Sequence, residues 1–333
     1  MELIDEAAET TYAEAIQQAL REEMARDSTV IVMGEDVGDR AGGAMQIERG
    51  LQTLFGNERV IDMPVTESGL VGAAIGAALM GMRPVVELQF GDFFGGAFHQ
   101  IVQMAAKMHW RTAGAMQVPL VLRGPTGGGT HAGMWHSQCP EAWFTHIPGL
   151  KIVVPSTPYD AKGLLKSAIR DNNPVLFLEH AYLYRRLHEP LPSEEYTVPI
   201  GQAEIRRIGE DVTILTYGAM VYHALEAAEE LAEQHGISAE VVDLRTLAPL
   251  DFESIADSVQ HTHRVLIVHE ASQTGGIGAE IAAQIAERLF TQLTGPIVRV
   301  AAPDTPYPAA RELEANYLPD TTRIIAATRA LVG

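Results

Sequence analysis

Between residues 66 and 78 the small residues Gly69, Gly72, Ala73, Gly76 and Ala77 recur three and four apart, which places them on one face of a helix. No other stretch restricts the fold as strongly. A glycine inside a helix costs about 1 kcal/mol relative to alanine, so three on one face call for close approach of another backbone. The helix is entered from a short apolar run, Val60 to Met63, ended by Pro64, and Thr66 stands where it can cap. Glu67 then falls in the first turn, at the carboxyl mouth of a strand, where ligands collect in open α/β sheets. Two roles are open to it. An acid at a helix N-terminus gains roughly 0.3–1 kcal/mol from the macrodipole; alternatively, the carboxylate is held against a buried ligand. Spacing alone does not separate them.

The rest of the chain repeats the strand-then-helix pattern. Thr11 to Glu14 reads as a capping box opening a helix whose apolar face is Ile16, Leu20 and Met24. Val30 to Met33 reads as a buried strand ending in the acidic Gly34-Glu35-Asp36-Val37-Gly38. Pro84 to Phe90 is expected as a strand and Phe93 to about Arg111 as a helix. Val118 to Leu122 follows as a strand that opens into a long Gly-rich loop, 124 to 143, carrying His131 and His136. A strand is expected over 152–154. A helix capped by Thr157 with Pro158 in its first turn runs to about Arg170, and Pro174 to Glu179 is another strand.

Residues 184 to 200 lack periodicity and hold prolines at 190, 192 and 199, the mark of a linker. Beyond it, strands are expected at 212–217, 238–244, 264–269 and 297–301, and helices at about 219–235, 251–260, 277–290 and 311–331. Alternation in both halves implies an α/β chain of two parallel-sheet domains, each sheet covered by helices. The expected division is 1–186, a connector at 187–200, and 201–333.

Lys and Arg number 24 against 43 Asp and Glu, a formal charge of −19. Nucleic-acid recognition would require a basic face, so no nucleic-acid partner is expected; a basic protein partner is compatible. The longest uncharged apolar stretch, Gly69 to Met82, is too short and glycine-rich to span a bilayer. The start, MELIDEAAETT, carries neither a basic n-region nor an Arg-rich leader, and a cytoplasmic protein is the expectation. A single cysteine, Cys139, excludes an internal disulfide and a cysteine metal cage.

Several motifs fail on inspection. The 124–133 loop has the glycines of a phosphate cradle but no Gly-Lys-Ser/Thr. Gly276-Ile-Gly278 opens a helix after a strand, yet Ile281 replaces the third glycine of a dinucleotide fingerprint. Gly91-Asp92 is followed by Phe93 and so does not make a Gly-Asp-Gly magnesium motif. His131 and His136 lack helical spacing and a companion thiol for a metal, and no G-x-S-x-G elbow accompanies Ser137. His136, on a Gly-rich loop at a strand's carboxyl end, is the more suggestive histidine, because binding residues gather there and imidazole titrates near neutrality.

Taken together, GEDVG at 34–38, TESGLVGAAIGAA at 66–78, GMRPVVELQFGDF at 81–93, HSQCPEAW at 136–143 and the run 148–179 resemble one family, as do VVDLRTLAPLD at 241–251, VHEA at 268–271 and APDTPYP at 302–308. The family is the β-subunit of the decarboxylase component of 2-oxo acid dehydrogenase complexes, within the transketolase-like thiamine enzymes. The resemblance covers essentially the whole chain. It implies a transketolase-like pyrimidine-binding domain followed by a transketolase C-terminal domain, paired with an α-subunit as α2β2. It also implies thiamine diphosphate shared with α, and Mg2+ bound mainly by α, in keeping with the missing Gly-Asp-Gly.

The same resemblance supplies roles. Thiamine diphosphate offers a nucleophilic C2, uncovered by its own 4′-amino group when a carboxyl group hydrogen-bonds N1′; Glu67 matches that carboxyl. Phe93 matches the residue packed on the aminopyrimidine and Gln89 a neighbouring contact. His136 matches the histidine that stabilises the 2-oxo group and assists acyl transfer to a lipoyl arm. Leu120, Ala168, Asp171 and Asn173 match main-chain carbonyl ligands of a structural potassium ion. Phe98-His99-Gln100 and the stretch 108–114 depart from the usual Phe-Asp-Gln and Arg-Tyr-containing pattern, which bears on substrate and α-subunit pairing. The implied reaction is oxidative decarboxylation of a 2-oxo acid, pyruvate first, with transfer to a lipoyl acyltransferase core through its subunit-binding domain, a basic module the acidic surface could dock. Acetoin cleavage and branched-chain oxo acids suit the same motifs. A split transketolase half would need a basic phosphate cluster that is not seen, and a non-catalytic scaffold would tolerate Glu67→Gln.

Overall fold

The computed structural model describes residues 9–333; most of the acidic opening read above for a leader lies outside them. Strands Val30–Glu35, Val121–Thr126 and Val175–His180 are buried along their whole length, as expected of parallel strands covered on both faces. They belong to a seven-stranded sheet in the spatial order Thr246–Ala248, Lys151–Val153, Val175–His180, Val121–Thr126, Arg83–Glu87, Val30–Glu35, Val60–Met63. All neighbours are parallel except the first pair. A second sheet runs Val298–Ala302, Val265–Ser272, Val212–Thr216, Ala239–Asp243, Glu204–Arg207, antiparallel only at the last pair.

The capping box forms as expected: Thr11 Oγ1 accepts from Glu14 N and the Glu14 carboxylate accepts from Thr11 N (2.8 Å) at the start of Tyr12–Arg26. Thr157 caps Pro158–Arg170 in the same way. Among the short strands that escaped the pattern, neither Glu204–Arg207 nor Thr246–Ala248 carries apolar alternation. The second of these joins the edge of the N-terminal sheet. The expected linker holds His188–Pro190, which pairs antiparallel with Glu9–Thr11.

Five expectations are corrected. Thr66 occupies the N-cap position but makes no side-chain cap; its N–H instead donates to the Glu35 carboxylate at 2.9 Å. Among the described residues, no other backbone is a nearest neighbour of Gly69, Gly72 or Gly76 on the small-residue face of Glu67–Leu79. Leu70, Val71, Ala74, Ile75 and Ala78 pack inward, Gly76 faces open space, and Gly72 is approached only by the Gln100 amide. The segment after Phe90 is not one helix but a 3-10 turn Gly91–Ala97, a π turn Gln100–Ala105 and Ala106–Arg111, its glycines permitting the tight start. The strand expected to end at Leu122 continues to Thr126, because Gly124, without a Cβ, lets its backbone pass against Leu88 O. Pro319 also divides the last expected helix into Arg311–Tyr317 and Thr321–Val332, the latter capped by Asp320.

The halves share their interior. One apolar core contains Ile16, Leu164 and Ile214; the other contains Leu122, Leu178 and Ile267. A buried polar latch ties them further: Arg245 Nη1 donates to Asp160 (2.9 Å), and Arg206 bridges Asp160 and Asp243. Among the described residues, no helix is long and apolar enough to cross a membrane.

Candidate active site at the carboxyl edge of the first sheet

Three adjacent parallel strands, Val60–Met63, Val30–Glu35 and Arg83–Glu87, deliver Glu67, Glu35 and the segment from Gln89 to Phe93 to the same sheet edge. Glu67 is the first residue of its helix and half-buried, with its carboxylate against Gly96, where a Cβ would come within 3.3 Å of Oε2. Among the described residues no hydrogen bond reaches that carboxylate. Glu35, only 2 % exposed, lies beside it. Burial pushes the Glu35 carboxyl up, the Thr66 N–H works against that, and the charges of Glu67 and Asp36 reinforce it.

Gln89 Nε2 donates to Asp36 Oδ2 (3.3 Å) and Glu35 O (3.4 Å), so its amide braces the acidic strand end. The Phe93 ring meets the His136 ring edge-on at 5.6 Å, and Phe90, missed in the sequence, stands 4.5 Å from His136 and 5.7 Å from Phe93. Asp92, set aside above as a metal motif, has a different use. It accepts from Gln138 Nε2 (2.8 Å) and N (3.3 Å), tying the Phe93 turn to the His136 loop. Burial raises the Asp92 carboxyl, with both Gln138 bonds opposing. Glu67 thus lies against Gly96, Gln89 against the Glu35–Asp36 strand end and Phe93 against His136, all of them contacts made by the strand end and turn that span residues 89 to 96. The Phe90–Phe93 ring pair and a carboxylate that accepts no hydrogen bond among the described residues are the kinds of group a flat aminopyrimidine would need.

Behind the site lies a buried charge cluster that local sequence did not signal. Arg123, 1 % exposed, donates to both oxygens of Glu179 (2.6 and 2.7 Å) and pairs with Glu48. Tyr184 OH donates to Glu179 as well (2.5 Å). Glu87, two residues before Gln89, accepts the Ala44 N–H (3.1 Å); burial first, then the charge of Glu48, pushes its carboxyl up to about 8.

The four carbonyl residues matched to potassium gather at one corner of the sheet. Leu120 O accepts from Val175 N (2.8 Å) and Ala168 O from Asp171 N (3.2 Å). Arg83 Nη1 donates to Ile169 O and Asp171 O, each at 2.9 Å, and Asn173 N donates to the Asp171 carboxylate (2.8 Å).

Residues 8–186 match the transketolase pyrimidine binding domain family and residues 201–324 the transketolase C-terminal domain family. The chain is 49 % identical to the 2-oxoisovalerate dehydrogenase subunit beta of Bacillus subtilis, over 96 % of this chain and 98 % of that protein. It is 46 % identical to the pyruvate dehydrogenase E1 component subunit beta of the same organism, over 98 % and 99 %. It is 48 % identical to the acetoin:2,6-dichlorophenolindophenol oxidoreductase subunit beta of Cupriavidus necator, over 95 % of each. Among solved structures, a split gene transketolase, an inactive beta4 tetramer, matches with a TM-score of 0.76 at 24 % identity over 96 % of this chain and 97 % of that one, a likeness of fold.

Proposed function

Because this chain belongs to the family of 2-oxo acid and acetoin dehydrogenase β-subunits built on transketolase-type domains, we propose that it is the β-subunit of a thiamine-diphosphate-dependent 2-oxo acid dehydrogenase. It completes its active site with an α-subunit in an α2β2 assembly, in the cytoplasm. The division at 1–186, 187–200 and 201–333 belongs to the same reading. The observation that carries it is that the single turn Gly91–Ala97 holds both Gly96, against which the Glu67 carboxylate lies, and Phe93, whose ring meets His136. Thiamine diphosphate, when bound, supplies the nucleophilic carbon and the electron sink for loss of CO2. Glu67 holds the proton at N1′ that keeps the aminopyrimidine reactive. Phe93 covers the ring face, and Gln89 braces the Glu35–Asp36 strand end beside it. His136 faces the 2-oxo oxygen and then gives or takes a proton as the acyl group moves to a lipoyl arm of the core acyltransferase. Mg2+ is held mainly by α.

Pyruvate is the proposed substrate, supported by the recurrence of pyruvate dehydrogenase subunits among the relatives. A branched-chain oxo acid is the second reading, favoured by the 49 % relative. Oxo-acid-dependent dye reduction, with this chain alone and then with its candidate α-subunit, tests the assignment. Activity in the mixture only is expected, and activity of the chain alone would sink the half-site reading.

His136→Ala should lower lipoyl acylation by about 10²–10⁴-fold while dye reduction falls less. Equal losses in the two assays would count against a transfer role. The carbonyls of Leu120, Ala168, Asp171 and Asn173 are proposed to hold potassium beside Arg83. Exchanging KCl for NaCl at equal ionic strength should then lower the thermal midpoint by about 5 °C; identical midpoints would remove the ion.

A further inference from the structure

The loop that carries His136 is held by the other half of the chain. Glu270, on strand Val265–Ser272 and 5 % exposed, accepts the Gly128 N–H at 2.5 Å and the Tyr307 hydroxyl at 3.1 Å, and its second oxygen pairs with His180 Nε2 at 2.7 Å. Burial opposes its charge, but His180, Gly128 and Tyr307 outweigh that and hold the carboxyl below its ordinary value. Glu314, on helix Arg311–Tyr317 and 1 % exposed, accepts the N–H groups of Gly129 (3.0 Å) and His131 (3.3 Å), and its other oxygen pairs with His131 Nδ1.

Three consecutive backbone features of the loop explain how it reaches these carboxylates. A Cβ on Gly127 would collide with the His180 ring, one on Gly128 with the Tyr307 hydroxyl, and one on Gly129 with the Tyr182 ring; Gly127 and Gly129 also have φ of +79°. The loop is closed at its base, where Gly127 N donates to Gln138 O (3.4 Å), and His136 N donates to Gly133 O (3.2 Å). Displacing the 127–131 arm therefore displaces the imidazole from the Phe90 and Phe93 edges it meets.

We propose that Glu270 and Glu314 are positioning residues: two buried C-terminal-half carboxylates that together accept three backbone N–H groups of the loop 127–131 and so set where His136 stands. The inference rests on the acyl-transfer reading of His136. Neither carboxylate belongs to the Glu67 site, so their effect on chemistry runs through the loop. Charge-assisted hydrogen bonds of this kind are strong enough that losing them opens the loop measurably.

The test is amide hydrogen exchange on the full chain, paired with the two assays on the enzyme reconstituted with its α-subunit. Glu314→Ala should speed exchange over 129–131 by about tenfold or more. Glu314→Gln, whose amide oxygen still accepts, should stay near wild type. Exchange over 265–272 should be unchanged in both, which separates a freed loop from a damaged fold. Lipoyl acylation should fall about tenfold in Glu314→Ala, with KM for the oxo acid unmoved and dye reduction less affected. Unchanged exchange over 129–131 would overturn the clamp. So would faster exchange with full acylation in a preparation where His136→Ala loses it. If His136→Ala itself spares acylation, the transfer reading fails, and the exchange results for Glu314→Ala over 129–131 and for Glu270→Ala over 127–128 still decide whether the two carboxylates hold the loop.

Discussion

Glu67→Gln should lower oxo-acid-dependent dye reduction in the reconstituted enzyme by about 10²–10⁴-fold, with little change in folding. The variant keeps the size of the side chain and its place at the start of Glu67–Leu79. It removes the exchangeable carboxyl proton that N1′ needs. The wild-type carboxylate receives no hydrogen bond from the described residues, so no native partner is stranded by the amide. Helix stability should also barely change, because an acid in the first turn contributes roughly 0.3–1 kcal/mol. The measurements are initial rates and the thermal midpoint of the same preparation. A rate within tenfold of wild type would refute the proton-holding role and favour a scaffold subunit. A large fall in midpoint would show instead that Glu67 is structural.

Arg123→Met is the second large effect, and it is on stability. Arg123 is buried with Glu179 on a two-pronged bond and Glu48 on its third nitrogen. Removing the cation leaves those carboxylates buried without a partner of opposite charge. Breaking a buried pair from one side costs about 3–5 kcal/mol, which for a domain of this size lowers the midpoint by about 10 °C. The pH dependence follows from the same cluster. The Glu87 carboxyl titrates at about 8 in the folded chain against 4.5 in its ordinary state. The folded chain therefore holds a proton that the unfolded chain releases between those values, and stability falls as pH rises through that window. Burial already raises the Glu48 carboxyl against the opposing charge of Arg123, and in Arg123→Met that opposition is lost, so Glu48 should move further in the same direction as Glu87. The variant's deficit against wild type should then shrink as the pH is lowered toward 5, and a deficit that grew on acidification would contradict the assignment. Adding Glu179→Gln to Arg123→Met should recover part of the midpoint, since a buried neutral amide costs less than a buried unpaired charge.

Of the departures from the family pattern, His99 immediately precedes the π turn Gln100–Ala105, and 108–114 spans the end of the short helix Ala106–Arg111 and the turn after it. His99 and Trp110 are both exposed there. Nothing in the fold of this chain alone explains the substitutions.

Periodicity and local chemistry were enough for the strand–helix alternation, the capping box at Thr11 and the Thr157 cap, because each depends on residues within one turn of one another. The motif at 66–69 likewise placed Glu67 at a helix start on a strand's carboxyl edge, since strand, proline and helix are contiguous. Thr66 shows where such reasoning stops. Its N–H could be satisfied locally or by a carboxylate 31 residues away, and Glu35 won because a parallel strand brings it alongside. The same limit hid Phe90 against His136, the Arg123 cluster, and the edge strand Thr246–Ala248 lent by one half to the sheet of the other.

The sequence by itself determined two largely parallel α/β sheets, the place of Glu67 at a helix start, and the glycines that let a loop bend. Only the tertiary structure decided which groups face one another: Asp92 with Gln138, Arg123 with Glu179 and Glu48, Glu270 and Glu314 with the backbone of the His136 loop. The physical reason is range. Helix and strand formation is governed by hydrogen bonds and side-chain periodicity over a few residues. A buried charge is stabilised by whichever opposite charge or N–H the packed fold brings within about 3 Å, and here that partner lies as far as 185 residues along the chain.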